Sequence, residues 1–224
     1  MLHDDFRQDF DALVPGQGAS RRAALQLMLG AGYAAAAAPV MAQQAIATPA
    51  DGLVAGEVSF AVNGAQVYAY RAAPQGRTGL PVVLVVSEIF GVHEYIADVC
   101  RRLARAGYLA LAPDLFARQG DPMEYGEVAR LMSELIAKVP DAQVMADLDG
   151  AVQWAGVNGG DAAKVAITGF CWGGRITWLY AAHGPVRAGV AWYGRLVGQA
   201  SALNPKHPVD IAPILKAPVL GLYG

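Results

Sequence analysis

A run of six apolar residues at 81–86 constrains the fold of this chain more than any other feature. Four of the six are valine, and no charged residue interrupts them. Continuous β-branched runs are typical of strands that are buried on both faces of a parallel sheet, whereas half-exposed strands alternate apolar and polar residues. The run therefore predicts an interior strand of a sheet that helices cover on both sides.

The rest of the chain alternates between strand-like and helix-like segments. Asn63-Gly64 indicates a two-residue hairpin turn between strands at 57–62 and 66–71. Further strands are predicted at 109–112, 165–168, 188–193 and 218–223, the last of them again buried, and helices at 94–106, 123–139, 141–157 and 174–183. This alternation predicts an α/β fold with a mostly parallel sheet and helices on both faces.

The composition favours one core and excludes several classes of function. The chain has 224 residues, of which 54% are hydrophobic and 16% charged, enough for one sizeable core but too few for two ordinary domains. A net charge of −2 argues against nucleic acid as a partner. Two cysteines without a C-x-x-C pattern exclude a disulfide framework and a Cys-rich zinc site. We expect no metal and no organic cofactor, because the chain has neither an H-E-x-x-H motif nor a phosphate loop.

The first 42 residues carry the features of an export signal. Arg21-Arg22 precedes an alanine-rich apolar run, and Val40 and Ala42 are the small residues expected before a cleavage site. The arginine pair resembles a twin-arginine (Tat) signal, whose substrates cross the membrane already folded. We therefore expect cleavage after Ala42, a linker at 43–55, the folded domain at 56–224, a periplasmic location and the Tat machinery as an export partner. The alternatives are an N-terminal helix of the mature protein and a transmembrane helix, for which the run is short and weakly hydrophobic.

The sharpest local motif is Gly-Phe-Cys-Trp-Gly-Gly at 169–174, between a predicted strand and a predicted helix. In this context G-x-C-x-G indicates a nucleophile elbow, in which the glycines leave room for a strained turn. The turn directs the Cys171 sulfur out of the carboxyl edge of the sheet, near a helix N-terminus that favours the thiolate. The Trp172 N–H is then a candidate oxyanion donor. The alternative is a buried cysteine in a glycine-rich turn.

Four motifs occur in order between the predicted hairpin and the last predicted strand. They are Ser-Glu-Ile-Phe-Gly at 87–91, Ala-Pro-Asp-Leu-Phe-Ala-Arg at 112–118, the elbow at 169–174 and Ala-Trp-Tyr-Gly at 191–194. Together they resemble the dienelactone hydrolase (carboxymethylenebutenolidase) family of the α/β-hydrolase fold. The resemblance implies hydrolysis of a small unsaturated lactone bearing a carboxylate, through a thioester on Cys171. It also implies that Glu88 assists thiolate formation, that Ile89 supplies the second oxyanion N–H, and that Arg118 binds the substrate carboxylate.

Three of these residues can also be interpreted directly. Glu88 directly follows a buried strand, at the edge where α/β sheets bind ligands, and a carboxylate in a partly apolar pocket can take a thiol proton. Arg118 offers a planar, permanently charged group that suits a carboxylate, and Tyr193 is a candidate pocket-lining residue. The alternatives are a capping or loop glutamate, a surface arginine beside Asp114 or Asp121, and a core tyrosine.

The second cysteine is predicted to be a core residue. Cys100 shares a face of the 94–106 helix with apolar side chains, and the arginines at 101, 102 and 105 are expected on the opposite side. A disulfide between Cys100 and Cys171 is not expected, since one lies on a helix flank and the other on the elbow.

The resemblance leaves two members of the triad without a counterpart. The order in this fold is nucleophile, acid, base, and after Cys171 the chain offers His183, His207 and Asp210. His183 lies at the far end of the nucleophile's own helix, and His207 precedes Asp210, the wrong order, in a predicted loop. The resemblance places the acid just after the strand at 218–223 and the histidine later. We therefore expect these residues to be a C-terminally truncated part of a longer protein.

Three functional hypotheses stay open. The first is a dienelactone hydrolase-like enzyme that acts on a small anionic substrate and has its acid and histidine beyond residue 224. The second is a hydrolase of another small ester, thioester or amide on the same fold. The third is a catalytically dead binding domain, which requires that the protein end at Gly224. The intact mass of the protein from its native source separates the third hypothesis from the first.

Overall fold

The computed structural model describes residues 47–223. The predicted export signal and the beginning of the predicted linker therefore lie outside the described residues. Within 47–223, every helix is too short or too polar to cross a lipid bilayer.

One sheet of seven strands organises residues 47–223. The strands are β1 (Leu53–Val62), β2 (Ala65–Pro74), β3 (Leu80–Val86), β4 (Leu109–Pro113), β5 (Gly160–Phe170), β6 (Val186–Trp192) and β7 (Val219–Leu222). They lie in the order β1-β2-β4-β3-β5-β6-β7. Strand β2 is antiparallel to both of its neighbours, and all other neighbouring strands are parallel. The predicted mostly parallel sheet is confirmed.

Helices connect the parallel strands. They are α1 (Glu94–Arg105), α2 (Val128–Arg130), α3 (Asp141–Val157), α4 (Trp172–His183) and α5 (Pro208–Ile211). Helix α2 continues through a π-helical turn at Leu131–Leu135 and a 3₁₀ turn at Ile136–Lys138, so the predicted helix at 123–139 is irregular. Helix α5 lies in a segment predicted to be a loop, because four residues are too few to display a helical period.

The hairpin and the central strand follow the prediction. Asn63 and Gly64 both have positive φ, 50° and 80°, as the tight turn between two twisted strands requires. Strand β3 lies between β4 and β5, and its residues Leu84, Val85 and Val86 are fully buried. The valine run is thus the centre of the core.

The last predicted strand is present as β7, at Val219–Leu222. Among the described residues it stands at the end of the strand order, and Leu220 is 57% exposed there. Its burial on both faces stays a prediction.

The segment before β1 is held against α1. The Thr48 N–H donates to the fully buried carboxylate of Asp98, and β1 begins at Leu53, inside the predicted linker. Burial acts to raise the pKa of Asp98, but the hydrogen bonds from Thr48 and Arg102 outweigh it, so the net pKa is lowered. The part of the linker that the structure describes is therefore packed on the domain.

Two predictions about α1 have opposite outcomes. Cys100 is fully buried and not joined to Cys171, as predicted, and burial raises the pKa of its thiol. The expected exposure of Arg101 is wrong: the residue is 7% exposed. Its guanidinium donates to the Thr48 carbonyl at 2.8 Å, to the Tyr70 hydroxyl at 3.1 Å and to Glu94. Burial is possible because these partners satisfy the charge and the N–H groups.

Candidate active site

Cys171 occupies a strained turn between β5 and α4. Its backbone angles are φ 51° and ψ −109°, a conformation that a non-glycine residue holds only where its surroundings impose it. The Cys171 N–H donates to the Trp192 carbonyl at 2.9 Å, and the Cys171 carbonyl accepts from the Arg175 N–H at 3.2 Å. The turn has the geometry predicted for an elbow, and the role of Cys171 as a nucleophile stays a prediction.

Close backbone approaches explain the glycines around this turn. A Cβ at Gly169 would meet the Gly173 carbonyl oxygen, and a Cβ at Gly173 would meet the Val86 carbonyl oxygen. A Cβ at Gly174 would lie 2.6 Å from the Trp192 carbonyl oxygen. The start of α4 can therefore touch the ends of β3 and β6 only without side chains at these positions.

Glu88 follows β3 and is hydrogen-bonded to a residue that the sequence analysis missed. Its Oε1 contacts Nε2 of His93, and the two side chains are 13% and 17% exposed, respectively. His93 is the N-cap of α1, where its Nδ1 accepts the Tyr95 N–H at 3.3 Å. Because Nδ1 accepts, the ring proton lies on Nε2, which donates to Glu88. The sequence feature that could have identified His93 is a histidine directly before a predicted helix, five residues after the predicted base.

Tyr193 lies near both Glu88 and Cys171. It follows β6 with a positive φ of 41°, and within residues 47–223 it is 54% exposed. Partial burial of its hydroxyl, together with nearby Glu88, Cys171 and Tyr95, raises the pKa of Tyr193 to about 12. The role of Tyr193 as a pocket-lining residue stays a prediction.

The two predicted oxyanion donors come from segments that meet. Ile89 follows Glu88 just beyond β3 and is 3% exposed. Trp172 is the first residue of α4, where N–H groups have no intrahelical acceptor, and its ring packs against Phe116 with centroids 4.8 Å apart. The approach of Gly173 to the end of β3 brings both segments to one edge of the sheet. Their role as oxyanion donors stays a prediction.

Arg118 forms an ion pair with α3. Its Nη1 and Nη2 donate to the two carboxylate oxygens of Asp147 at 2.9 and 2.6 Å. The Asp147 side chain is 2% exposed and that of Arg118 is 25% exposed. Burial raises the pKa of Asp147, and the hydrogen bonds from Arg118 only partly oppose this shift. The acidic partner is thus Asp147 of α3, distant in sequence, rather than Asp114 or Asp121, and the role of Arg118 in substrate binding stays a prediction.

The residues considered as late triad members have structural partners. His183 contacts Asp149 at 2.8 Å at the end of α4. His207 is the N-cap of α5, and its backbone N–H donates to the Asp210 carboxylate at 2.8 Å. The Nδ1 of His207 accepts from Arg175 at 3.5 Å. These contacts agree with the expectation that the three residues do not complete a triad.

The sheet order, the helices on it and the elbow define an α/β-hydrolase. The family model described as the dienelactone hydrolase family matches residues 67–224. A Methylorubrum extorquens protein named "Putative carboxymethylenebutenolidase" is 58% identical over 221 residues, which are 98% of this chain and 76% of that protein. A crystal structure described as "Putative Dienelactone Hydrolase" from Klebsiella pneumoniae subsp. pneumoniae has a TM-score of 0.76 and 61% identity, covering 77% of this chain and 72% of the other. The chain therefore belongs to the dienelactone hydrolase family and is a carboxylic ester hydrolase.

A more distant structure shares the fold. It is described as a dienelactone hydrolase-like promiscuous phosphotriesterase from metagenomic libraries. It is 25% identical, with a TM-score of 0.61, and the match covers 77% of this chain and 69% of that one.

Proposed function

We propose that this protein hydrolyses small unsaturated lactones that carry a carboxylate, through an acyl-enzyme on Cys171. The observation that carries the proposal is the strained turn at Cys171, directly after β5, beside the end of the neighbouring parallel strand β3, which Glu88 follows. Membership of the dienelactone hydrolase family supports the choice of substrate class.

The steps follow from the chemistry of a thiol beside a carboxylate. Glu88 takes the Cys171 proton, and the thiolate attacks the lactone carbonyl carbon. The Ile89 and Trp172 N–H groups stabilise the oxyanion. The ring C–O bond then breaks, and the enolate oxygen takes the proton from Glu88, which regenerates the carboxylate. Water then hydrolyses the thioester to a carboxylic acid, which ionises, and the free thiol. The acid and the histidine that would activate this water are predicted to lie beyond residue 224. The intact mass and the sequence of the protein from its native source test this prediction.

The ion pair between Arg118 and Asp147 favours a second candidate function. Because both Nη atoms are bound to Asp147, the guanidinium reaches a substrate carboxylate only with its remaining N–H groups or after the pair opens. A hydrolase of small uncharged esters or thioesters needs no such change. The two candidates therefore differ in what Arg118 does.

The test compares a carboxylated dienelactone with its methyl ester, using native protein, Arg118→Ala and Asp147→Asn. Loss of a charge-assisted bidentate contact raises KM for the carboxylated lactone about tenfold or more in Arg118→Ala, with little change for the ester. Asp147→Asn is the matched control, since it weakens the same ion pair but keeps the guanidinium. Equal turnover of both substrates by native protein favours the second candidate. Absence of hydrolysis of either by the full-length folded protein favours a binding domain.

We also propose that the protein is exported to the periplasm by the Tat route. The support is the sequence at 20–42. The native chain should appear in the periplasmic fraction with Gln43 as its first residue, as determined by N-terminal sequencing. A double variant with Lys at positions 21 and 22 should stay unprocessed in the cytoplasm, whereas the control Arg7→Lys should be exported. Export of the double variant at the native level would contradict this route.

A further inference from the structure

We propose that His93 is a positioning residue, which holds the Glu88 carboxylate in place. The inference rests on the proposed function, because it assigns a task to the partner of the proposed base. It concerns a residue outside the nucleophile, the oxyanion donors and the predicted late histidine.

The His93 ring is held from both sides. Nδ1 accepts the Tyr95 N–H at the start of α1, and Nε2–H donates to Oε1 of Glu88. A turn of the ring toward another partner would give up its hydrogen bond to the Tyr95 N–H. The position of Glu88 is therefore coupled to the N-terminus of a helix that packs on the sheet.

Packed aromatic side chains also connect His93 to the elbow. The rings of His93 and Tyr95 are stacked with centroids 6.4 Å apart, and Tyr95 meets Phe170 edge-on at 6.2 Å. Phe170 is the residue directly before Cys171. The base and the nucleophile are thus joined by a continuous row of packed side chains as well as by the sheet edge.

The hydrogen bond has a chemical consequence for Glu88. With Oε1 bound to His93, the carboxylate is fixed in one orientation and Oε2 stays available to receive the thiol proton. Removal of the donor should leave the carboxylate free to rotate, so that it spends less time in the orientation that takes the proton.

Other ionisable groups also face this pair. On the elbow side, Tyr193 and Tyr95 are close enough for their charges to interact with one another, and Tyr193 also interacts with Glu88 and Cys171. On the other side, His93 lines a cavity of about 740 Å³ that also contains acidic residues. Those residues are Glu57, Glu94, Asp114 and Asp121. All of them are retained in the His93 variants below, which differ from native protein only at position 93.

Two substitutions at position 93 separate the two contacts of the ring. Asn is a good N-cap but is too short to reach Glu88, whereas Gln can place an amide N–H near the position of Nε2 and is a poorer cap. In His93→Asn we expect kcat for the lactone to fall about tenfold, with KM little changed. His93→Gln should keep a nearly native kcat despite a lower melting temperature.

The result that overturns the inference is a native kcat in His93→Asn, or an equal loss of kcat in both variants. Glu88→Gln distinguishes this failure from failure of the proposed function. If Glu88→Gln lowers kcat but His93→Asn does not, only the role of His93 is wrong. If Glu88→Gln leaves kcat native, the proposed base is wrong.

A spectroscopic test does not depend on turnover. NMR of the full protein labelled with ¹⁵N-histidine should show His93 protonated on Nε2 and unprotonated on Nδ1 near neutral pH. The Nε2 proton should exchange with water faster in Glu88→Gln. Protonation on Nδ1 instead, or exchange unaffected by Glu88→Gln, would overturn the inference even if no lactone were hydrolysed.

Discussion

Replacement of Cys171 by alanine should lower kcat for a carboxylated lactone by about 10⁴-fold or more, without unfolding the protein. Alanine keeps the Cβ that the turn already accommodates at φ 51° but removes the atom that forms the thioester. The hydrolysis rate and the mass of the protein after incubation with substrate check this result. Native protein should gain the mass of one acyl group at Cys171, and the variant should gain none.

Two further variants complete this experiment. Cys171→Ser should also lose most activity, because a hydroxyl is far less acidic than a thiol and Glu88 removes its proton poorly. The matched control is Cys100→Ala, which removes the other sulfur from a fully buried position on α1 and should lower stability more than rate. Full lactone hydrolysis by Cys171→Ser would contradict the nucleophile assignment.

Replacement of Gly173 by alanine should destabilise the fold by about 3 kcal/mol or more. Helix propensity alone predicts the opposite sign, since alanine is favoured over glycine within a helix by about 1 kcal/mol. The Cβ, however, would meet the carbonyl oxygens of Val86 and Ser87. These are backbone atoms at the end of the central strand, which cannot move aside as a flexible side chain could.

Urea unfolding measures this effect, and the control is Gly126→Ala. A Cβ at Gly126 would have no atom within 4 Å, so its effect should stay within about 0.5 kcal/mol. Equal stability of the two variants would show that α4 does not approach β3 as closely as described. A loss confined to Gly173→Ala would establish that the elbow depends on this contact.

Much of the scaffold could be predicted because it depends on short stretches of chain. The valine run indicated the central strand, and Asn63-Gly64 indicated a turn that needs two positive φ angles. The glycine spacing at 169–174 indicated a turn with no room for side chains, and the backbone of Cys171 has that strain. Each of these features is set by steric and conformational preferences within a few residues.

The partners of the charged residues could not be predicted in the same way. Arg101 was expected in solvent and is buried against the segment before β1. Arg118 was assigned to the substrate or to nearby aspartates, but it pairs with Asp147, 29 residues away. A charge pattern along one helix does not reveal which other element will pack over it.

The sequence by itself determined the α/β class, the hairpin, the central strand and the strained turn at Cys171, because local sterics and hydrophobic burial decide them. Only the tertiary structure decided that Glu88 is held by His93 and that Arg118 is tied to α3. The physical reason is that an ion pair or hydrogen bond forms between groups within about 3 Å. For residues on different elements, that proximity arises only when the helices pack on the sheet.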